Sequence, residues 1–338
     1  MNIIQAKKRL KLVLAIFACF SMTIAATAQE CNCGPRWTAS LDGVFMTRSS
    51  PASQSLVGDK PPQQGGGAAI YDAHDFNFEN QIAPRFTLRR HGNCGTDLEV
   101  IYLNVNSIGA SASVDTSISG PPAGSLLVGD GGMESSTSPT KDPDLSYVSQ
   151  LNSLELNCRH RTNEWVTLIA GFRWIEMDET YGWISHGTKS DFGEFHTEND
   201  LYGFQVGGET DIWRHGRFEL EGYTKVGIYA NESNTTYNAQ VSQSLYGTPQ
   251  LASAAKRNRT SFVGEAALTG AFNITENFSL RMGYQVTFLN GIAAATDQMT
   301  ALNVDFYAPE EIFKASGGVN NAGSATYHGP FIRLTFQH

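Results

Sequence analysis

Asn277 to Asn290 reads Asn-Phe-Ser-Leu-Arg-Met-Gly-Tyr-Gln-Val-Thr-Phe-Leu-Asn. Phe278, Leu280, Met282, Tyr284, Val286 and Phe288 fall on one side of a period-two ribbon. Ser279, Arg281, Gly283, Gln285 and Thr287 fall on the other. One face suits hydrocarbon and the other suits water. A transmembrane strand needs about 9–11 residues, whereas a spanning helix needs about 20 consecutive apolar ones. The segment therefore reads as a membrane strand. Lipid admits only helices and closed barrels, since every backbone N–H and C=O there must find an internal partner.

The alternation recurs along the chain. Strands are predicted at Trp37–Phe45, Arg85–Arg89, Asp97–Val105, Tyr147–Cys158, Trp165–Ile175, Asn199–Thr210, Arg217–Tyr229, Phe262–Phe272, the opening segment and Phe331–Phe336. The predicted fold is an all-β, antiparallel, up-and-down transmembrane barrel of about ten strands. Twelve result if Gly67–Tyr71 or Gly109–Val114 hides another pair.

Short connections near His91–Gly95, Arg159–Glu164, Asp211–Gly216 and Asn273–Asn277 alternate with long ones at Ser49–Ile82, Asn106–Leu145, Met177–Glu198, Ala230–Thr260 and Gly291–His328. A barrel with short periplasmic turns and long external loops segregates its connections this way, and a soluble sandwich has no reason to. Trp37, Trp165, Trp213 and Phe336 are expected at one interfacial girdle. Trp174, Tyr181, Trp183 and Tyr229 are expected at the other.

The first residues carry Lys7, Lys8, Arg9 and Lys11, an apolar stretch and Ala26-Thr27-Ala28, the pattern of a secretory signal. The expected organisation is a signal peptide at 1–28, a periplasmic segment at 29–36 and an outer-membrane barrel at 37–338. Removing those four bases takes the formal net charge from −9 to −13, so nucleic acid is not an expected partner. Outer-membrane lipid is, together with small solutes or surface ligands met by the long loops.

Strand phase places Asp42, Asp97, Glu99, Glu155, Glu209, Glu219, Glu221 and Glu265 on the lumen face. The bases there are Arg85, Arg89, Arg173, Arg217, Lys225, Arg281 and Arg333. The two signs nearly balance, which points to pairing rather than to a selective open pore. Folding the first short turn sets Arg89 opposite Asp97, and Asp42 and Arg333 can meet at the closing seam. Cys31, Cys33, Cys94 and Cys158 all fall toward the short-turn rim of an exported chain. Disulfides joining Cys31 and Cys33 to Cys94 and Cys158 are expected, in either order.

The runs Gly171-Phe172-Arg173-Trp174, Glu198-Asn199-Asp200-Leu201-Tyr202-Gly203-Phe204-Gln205-Val206-Gly207, Lys225-Val226-Gly227-Ile228-Tyr229, Arg281-Met282-Gly283-Tyr284 and Tyr327-His328-Gly329-Pro330 resemble the planctomycete putative beta-barrel porin family. The resemblance covers most of the mature chain and implies an exported barrel, with no catalytic residues to carry over. His186, Asp191, Glu194 and His196 share one long loop, where an acid/base pair could be assembled. No GxSxG or HExxH motif accompanies them. The expectation is no enzyme, no cofactor and no metal. The functional expectation is a narrow porin-like channel for small solutes. The alternative is a non-conducting barrel that anchors surface loops for adhesion or envelope structure.

Overall fold

The computed structural model describes residues 37–58, 69–92, 95–115, 125–126, 141–186, 190–240, 250–307 and 312–338. Its strands are β1 (Trp37–Arg48), β2 (Ser55–Gly58), β3 (Ala69–Asp72), β4 (Gln81–His91), β5 (Thr96–Ser113), β6 (Ser125–Leu126), β7 (Lys141–Arg161) and β8 (Val166–His186). They continue with β9 (Ser190–His215), β10 (Phe218–Gln240), β11 (Gln250–Asn273), β12 (Phe278–Ile292), β13 (Leu302–Tyr307), β14 (Ile312–Gly317) and β15 (Gly323–Gln337).

Ten of these close into one antiparallel ring in the order β1-β15-β12-β11-β10-β9-β8-β7-β5-β4. The ten are the ten predicted strands. The seam pairs Thr38 with Gln337 and Asp42 with Arg333. Of the stretches considered for an eleventh and twelfth strand, Gly109–Ser113 is the end of β5. Ala69–Asp72 instead joins β2 and β6 in a small separate sheet. Arg217 lies in the turn between β9 and β10 rather than on a strand.

In the lower wall the burial pattern inverts that of a soluble protein. Along β1 the large apolar side chains Trp37, Leu41 and Phe45 are exposed, while Thr38, Ser40 and Asp42 are buried. The same holds for Phe204, Val206, Val226, Ile228, Phe262, Leu268, Met282, Ile332 and Leu334, all exposed on the outer wall. A continuous apolar exterior around a polar interior belongs to a barrel solvated by lipid.

The strands run well past this band. On β10 the outward residues are apolar or small from Phe218 to Ala230 and polar from Glu232 onward. Ten residues, Asn231 to Gln240, lie beyond the change. At roughly 3.3 Å per residue they extend the wall by about 30 Å along the strand.

Above the change the hydrophobic side moves indoors. On β8, Leu168 and Trp174 point outward, whereas Ile175, Met177, Tyr181 and Trp183 point inward and are buried. Much of what the sequence reads as long loops is thus barrel wall standing in water, with its apolar face turned to the lumen. Tyr181, Trp183 and Tyr229 are buried inside for the same reason and do not form the upper girdle expected of them. Trp37, Trp165, Trp213 and Phe336 are exposed at the lower rim.

Among the described residues, parts of two long connections fold inward. The β1–β4 connection brings Ala73, Phe76 and Phe78 into the lumen, and the β12–β15 connection brings Ala293, Ala295 and Met299. Gly291 makes the second entry possible. Its φ of +82° is open to few other residues, and its carbonyl accepts from Ser261 Oγ at 2.6 Å and Asn231 Nδ2 at 3.2 Å.

The boundary drawn on β10 is testable by urea titration of refolding into bilayers. Val226→Arg is expected to destabilise by about 2–4 kcal/mol, the cost of a base near the bilayer midplane. Asn238→Arg, beyond the apolar band, is expected to be near neutral. Equal costs at the two positions would place the boundary elsewhere.

Candidate functional site

The candidate site is the barrel interior, which has three levels. Nearest the short-turn rim is a cavity of about 1010 Å³, lined by residues that include Arg89, Asp97, Glu209, Glu219, Glu221, Arg281 and Arg333. Next is a layer of buried charge that leaves only about 40 Å³ of open space. Above that is an apolar and aromatic plug.

The charged layer is built by side chains that alternate inward and reach across several strands. Arg173 on β8 holds Glu265 on β11 at 2.8 Å and lies 3.5 Å from Glu155 on β7. Lys225 on β10 lies 2.8 Å from Glu155 and 2.9 Å from Glu265. Gln205 donates to Glu155 at 2.7 Å, and Tyr223 donates to Glu265 at 2.8 Å. On the other side of the ring, Asp42 accepts from Arg85 and, at 2.8 Å, from Arg333. Arg85 also donates to Gln285. Each charge is thereby hydrogen-bonded to opposite charge, the condition under which charge is tolerated away from water.

The lower cavity brings together the remaining candidates. Arg89 sits opposite Glu99 in the β4–β5 register and bonds it at 2.8 Å. This corrects the expected Arg89 and Asp97 pair: Asp97 lies opposite His91 and bonds its Nδ1 at 3.0 Å. The hairpin register is shifted by two residues from the one assumed, which preserves the face and changes the partner. Arg281 pairs with Glu221, and Glu219 pairs with Arg214 at 3.2 Å. Glu209 pairs with Arg159 at 2.5 Å.

Two important residues escape a reading that stops the strands early. Arg159, buried near the end of β7, bridges Glu99 and Glu209. Arg48, the last residue of β1, crosses the lumen to Glu179 on β8 at 2.7 Å, with both side chains fully buried. Continued alternation through Met46 and Arg48, and through Met177, Glu179 and Tyr181, is the signal that marks them.

Arg48 and Glu179 anchor the plug. The Arg48 guanidinium lies 5.1 Å from the ring centroids of both Phe78 and Tyr147. Tyr147 donates to Glu179 at 2.6 Å, and the Ser149 and Tyr327 hydroxyls meet at 2.6 Å. Phe76, Phe78, Tyr147, Tyr181, Phe195 and Tyr237 form a chain of ring contacts across the barrel. Asn199 clasps the second inserted segment. Its amide donates to the Ala293 carbonyl at 2.9 Å and accepts from the Ala293 N–H at 2.8 Å.

Of the acid and histidine residues of the predicted third loop, Asp191, Glu194 and His196 do not converge. Asp191 is buried on the inner face, while Glu194 and His196 alternate with buried Phe195 on the outer one. On that outer face Asp178 stands opposite Glu198, and Glu176 stands opposite Asp200. Burial pushes the Asp178 carboxyl up to about 6, and Glu176 and Glu198 add to the rise. His196, 3.6 Å from Glu198, is raised by that pairing. Cys158 is a free thiol exposed on the outer wall of β7, between the buried Asn157 and Arg159. Cys31, Cys33 and Cys94 lie outside the described residues.

A closed antiparallel ring with an apolar exterior and a charged interior defines an outer-membrane β-barrel of porin-like form. The family model described as Putative beta barrel porin-7 matches residues 143–316, and the chain belongs to that family. No curated protein matches it. Among solved structures it is similar to the outer membrane protease OmpT from Escherichia coli, with 10% identity over 93% of this chain and 100% of that chain and a TM-score of 0.45. It is also similar to the Ralstonia pickettii toluene transporter TbuX, with 8% identity over 91% of this chain and 90% of that one and a TM-score of 0.35. The P. putida toluene transporter TodX gives 8% identity, 91% of each chain and a TM-score of 0.32.

Two outcomes are expected. Arg173→Met leaves Glu155 and Glu265 to share Lys225, and it should cost about 3–5 kcal/mol in denaturant unfolding, as for a broken buried pair. A cost below 1 kcal/mol would show that the layer is not tightly coupled. The second concerns pH. A carboxyl raised in the folded state binds its proton more tightly there, so Asp178 lowers stability above about pH 6. That loss disappears as pH falls through the unfolded aspartate range near about 3.9. Asp178→Asn should therefore stabilise at pH 7.5 by under about 1 kcal/mol, because the site is partly screened by water. The difference should vanish near pH 4.

Proposed function

We propose that this porin-like barrel is a narrow channel for small solutes held closed at rest, and that it has no catalytic role. The observation that carries the reading is the interior itself. A roomy cavity at the short-turn rim ends at the buried layer around Arg173, Lys225, Glu155 and Glu265. The inserted segments fill the lumen above that layer. Solutes would enter from the short-turn side, which the short periplasmic turns of such barrels place in the periplasm. Passage requires the plug to move and the layer to part. An interior about eight strands round is just filled by side chains and open aqueous pores belong to about 16–18 strands, so ten strands suit this arrangement. The family description supports a channel rather than an enzyme.

The second reading, a barrel that displays its surface, is favoured by one observation: the wall of β7 to β11 stands far beyond the apolar band, with a polar exterior.

Planar-bilayer recordings separate the two. Wild type should show little or no stepwise conductance. Replacing residues 49–80 and residues 294–321 each by a short Gly-Ser turn, combined with Glu155→Ala and Lys225→Ala, should give steady ohmic steps. Wild-type conductance at the level of a general porin would refute the closed state. A folded but silent variant would favour the display reading.

A further inference from the structure

The cavity at the short-turn rim has two unlike walls. Arg89 and Arg333 pair with Glu99 and Asp42, but the partners are not equally accessible. The side chains of Arg89 and Arg333 are 25% and 19% exposed, while those of Glu99 and Asp42 are 4% and 0% exposed. The acids therefore lie behind the bases, and the cavity meets guanidinium. On β9 the order is reversed: Glu209 is 23% exposed with Arg159 at 5% behind it. On β10 the acid Glu219, 16% exposed, shares the cavity with its more exposed partner Arg214, which closes that arc at the mouth.

The ring order fixes how these walls stand to one another. β4, which carries Arg89, and β10, which carries Glu219, are five places apart in a ring of ten and so diametrically opposed. β15, with Arg333, is four places from β9, with Glu209. On one side β12 adds Arg281 to the basic wall, and β11, whose lumen-facing residues at this level, Thr269 and Ala271, carry no charge, separates it from Glu221 on β10, with which Arg281 pairs. The cavity is therefore polarised across its width: Arg89, Arg281 and Arg333 stand on one side, and Glu209, Asp211, Glu219 and Glu221 stand on the other, with Arg214 and Arg217 beside them at the turn between β9 and β10. A solute with net charge of either sign meets one attractive and one repulsive wall. A solute with an anion at one end and a cation at the other meets two attractive walls.

We infer that the cavity binds short zwitterionic solutes, with a carboxylate on Arg89 and Arg333 and an ammonium on Glu209 and Glu219. A free peptide of a few residues is the chemical class that fits. The inference rests on the reading of the barrel as a narrow channel for small solutes and names its solute class, but the binding requires no conductance. At about 1010 Å³ the space is ample for such a ligand.

Isothermal titration of the full chain in detergent micelles tests it with three probes: triglycine, N-acetyl-triglycine, which keeps only the anion, and triglycine amide, which keeps only the cation. Triglycine is expected to bind at least about tenfold more tightly than either blocked peptide, the loss expected when one of two charged anchors is removed. Glu219→Gln should weaken triglycine and triglycine amide and leave N-acetyl-triglycine unchanged. Equal binding of the three probes to wild type, or no binding of triglycine, would overturn the inference, as would a Glu219→Gln variant that weakens all three alike. The wild-type series decides the matter even if the variant does not fold. Because it is read without ion flow, a failure here is distinct from a failure of the conductance experiment.

Discussion

A peptide group in lipid has no water to bond, so the wall of this protein must close on itself, and the rest of the structure follows from how it does so. Closure falls between the first and last strands, where β1 is flanked by β4 on one side and β15 on the other. Asp42 lies at the middle of that junction. Arg85 is its register partner on β4 and Arg333 its partner on β15, and both guanidiniums bond the one carboxylate. The backbone ladder supplies the continuity of the ring. Asp42 supplies a reason for this register rather than one displaced by two residues, since a displaced seam would leave a buried charge without its counter-charge.

The wall then meets two solvents in succession. Within the bilayer its outward face must be apolar, and above the bilayer the same strands must present polar residues outward and bury apolar ones. β8, β9, β10 and β12 meet both demands without changing phase at the junction: the hydrophobic residues change sides. Trp174 points out and Ile175 in, Tyr202 out and Leu201 in, Ile228 out and Tyr229 in, Phe288 out and Leu289 in. Each junction appears in the sequence as two adjacent apolar residues at the end of an alternating run. The upper barrel can thus hold a packed core of the soluble kind, which is why inserted segments rather than water fill it.

This explains what was legible in the sequence and what was not. The lower strands were readable because alternation is a local property and lipid enforces it on every strand. The ten strands and their order followed from that alone. The upper halves read as loops because a period-two search tuned to one apolar face loses the signal where the apolar face changes sides. Arg48 and Glu179, which tie the plug, lie in those halves. Strand phase could say that Arg89 faced the lumen, but its partner depended on turn geometry, a matter of two residues, so Glu99 and not Asp97 receives it. The inward folding of the segments around Phe76 and Ala293 had no periodic signal. It depends on contacts between residues far apart in sequence, such as Asn199 with Ala293.

The plug and the wall are held by different forces, and that difference bears on how such a barrel can open. Ring stability comes from backbone ladders between neighbouring strands, none of which passes through the inserted segments. The plug is held mostly by side chains: the Asn199 clasp, Ser261 and Asn231 on Gly291, and the aromatic packing around Arg48, with one backbone bond from the Glu79 N–H to the Gly109 carbonyl on β5. Withdrawing the plug therefore leaves the wall's own hydrogen bonds intact. It also exposes an apolar lining to water, and each large side chain uncovered costs about 1.5–3 kcal/mol. The charged layer beneath presents the opposite economy. Its ions already neutralise one another, and water entering the opened lumen can solvate them as it replaces their contacts. In the proposed channel, resistance to opening would thus reside mainly in the hydrophobic plug, and the ion-pair layer would set what the narrow path tolerates.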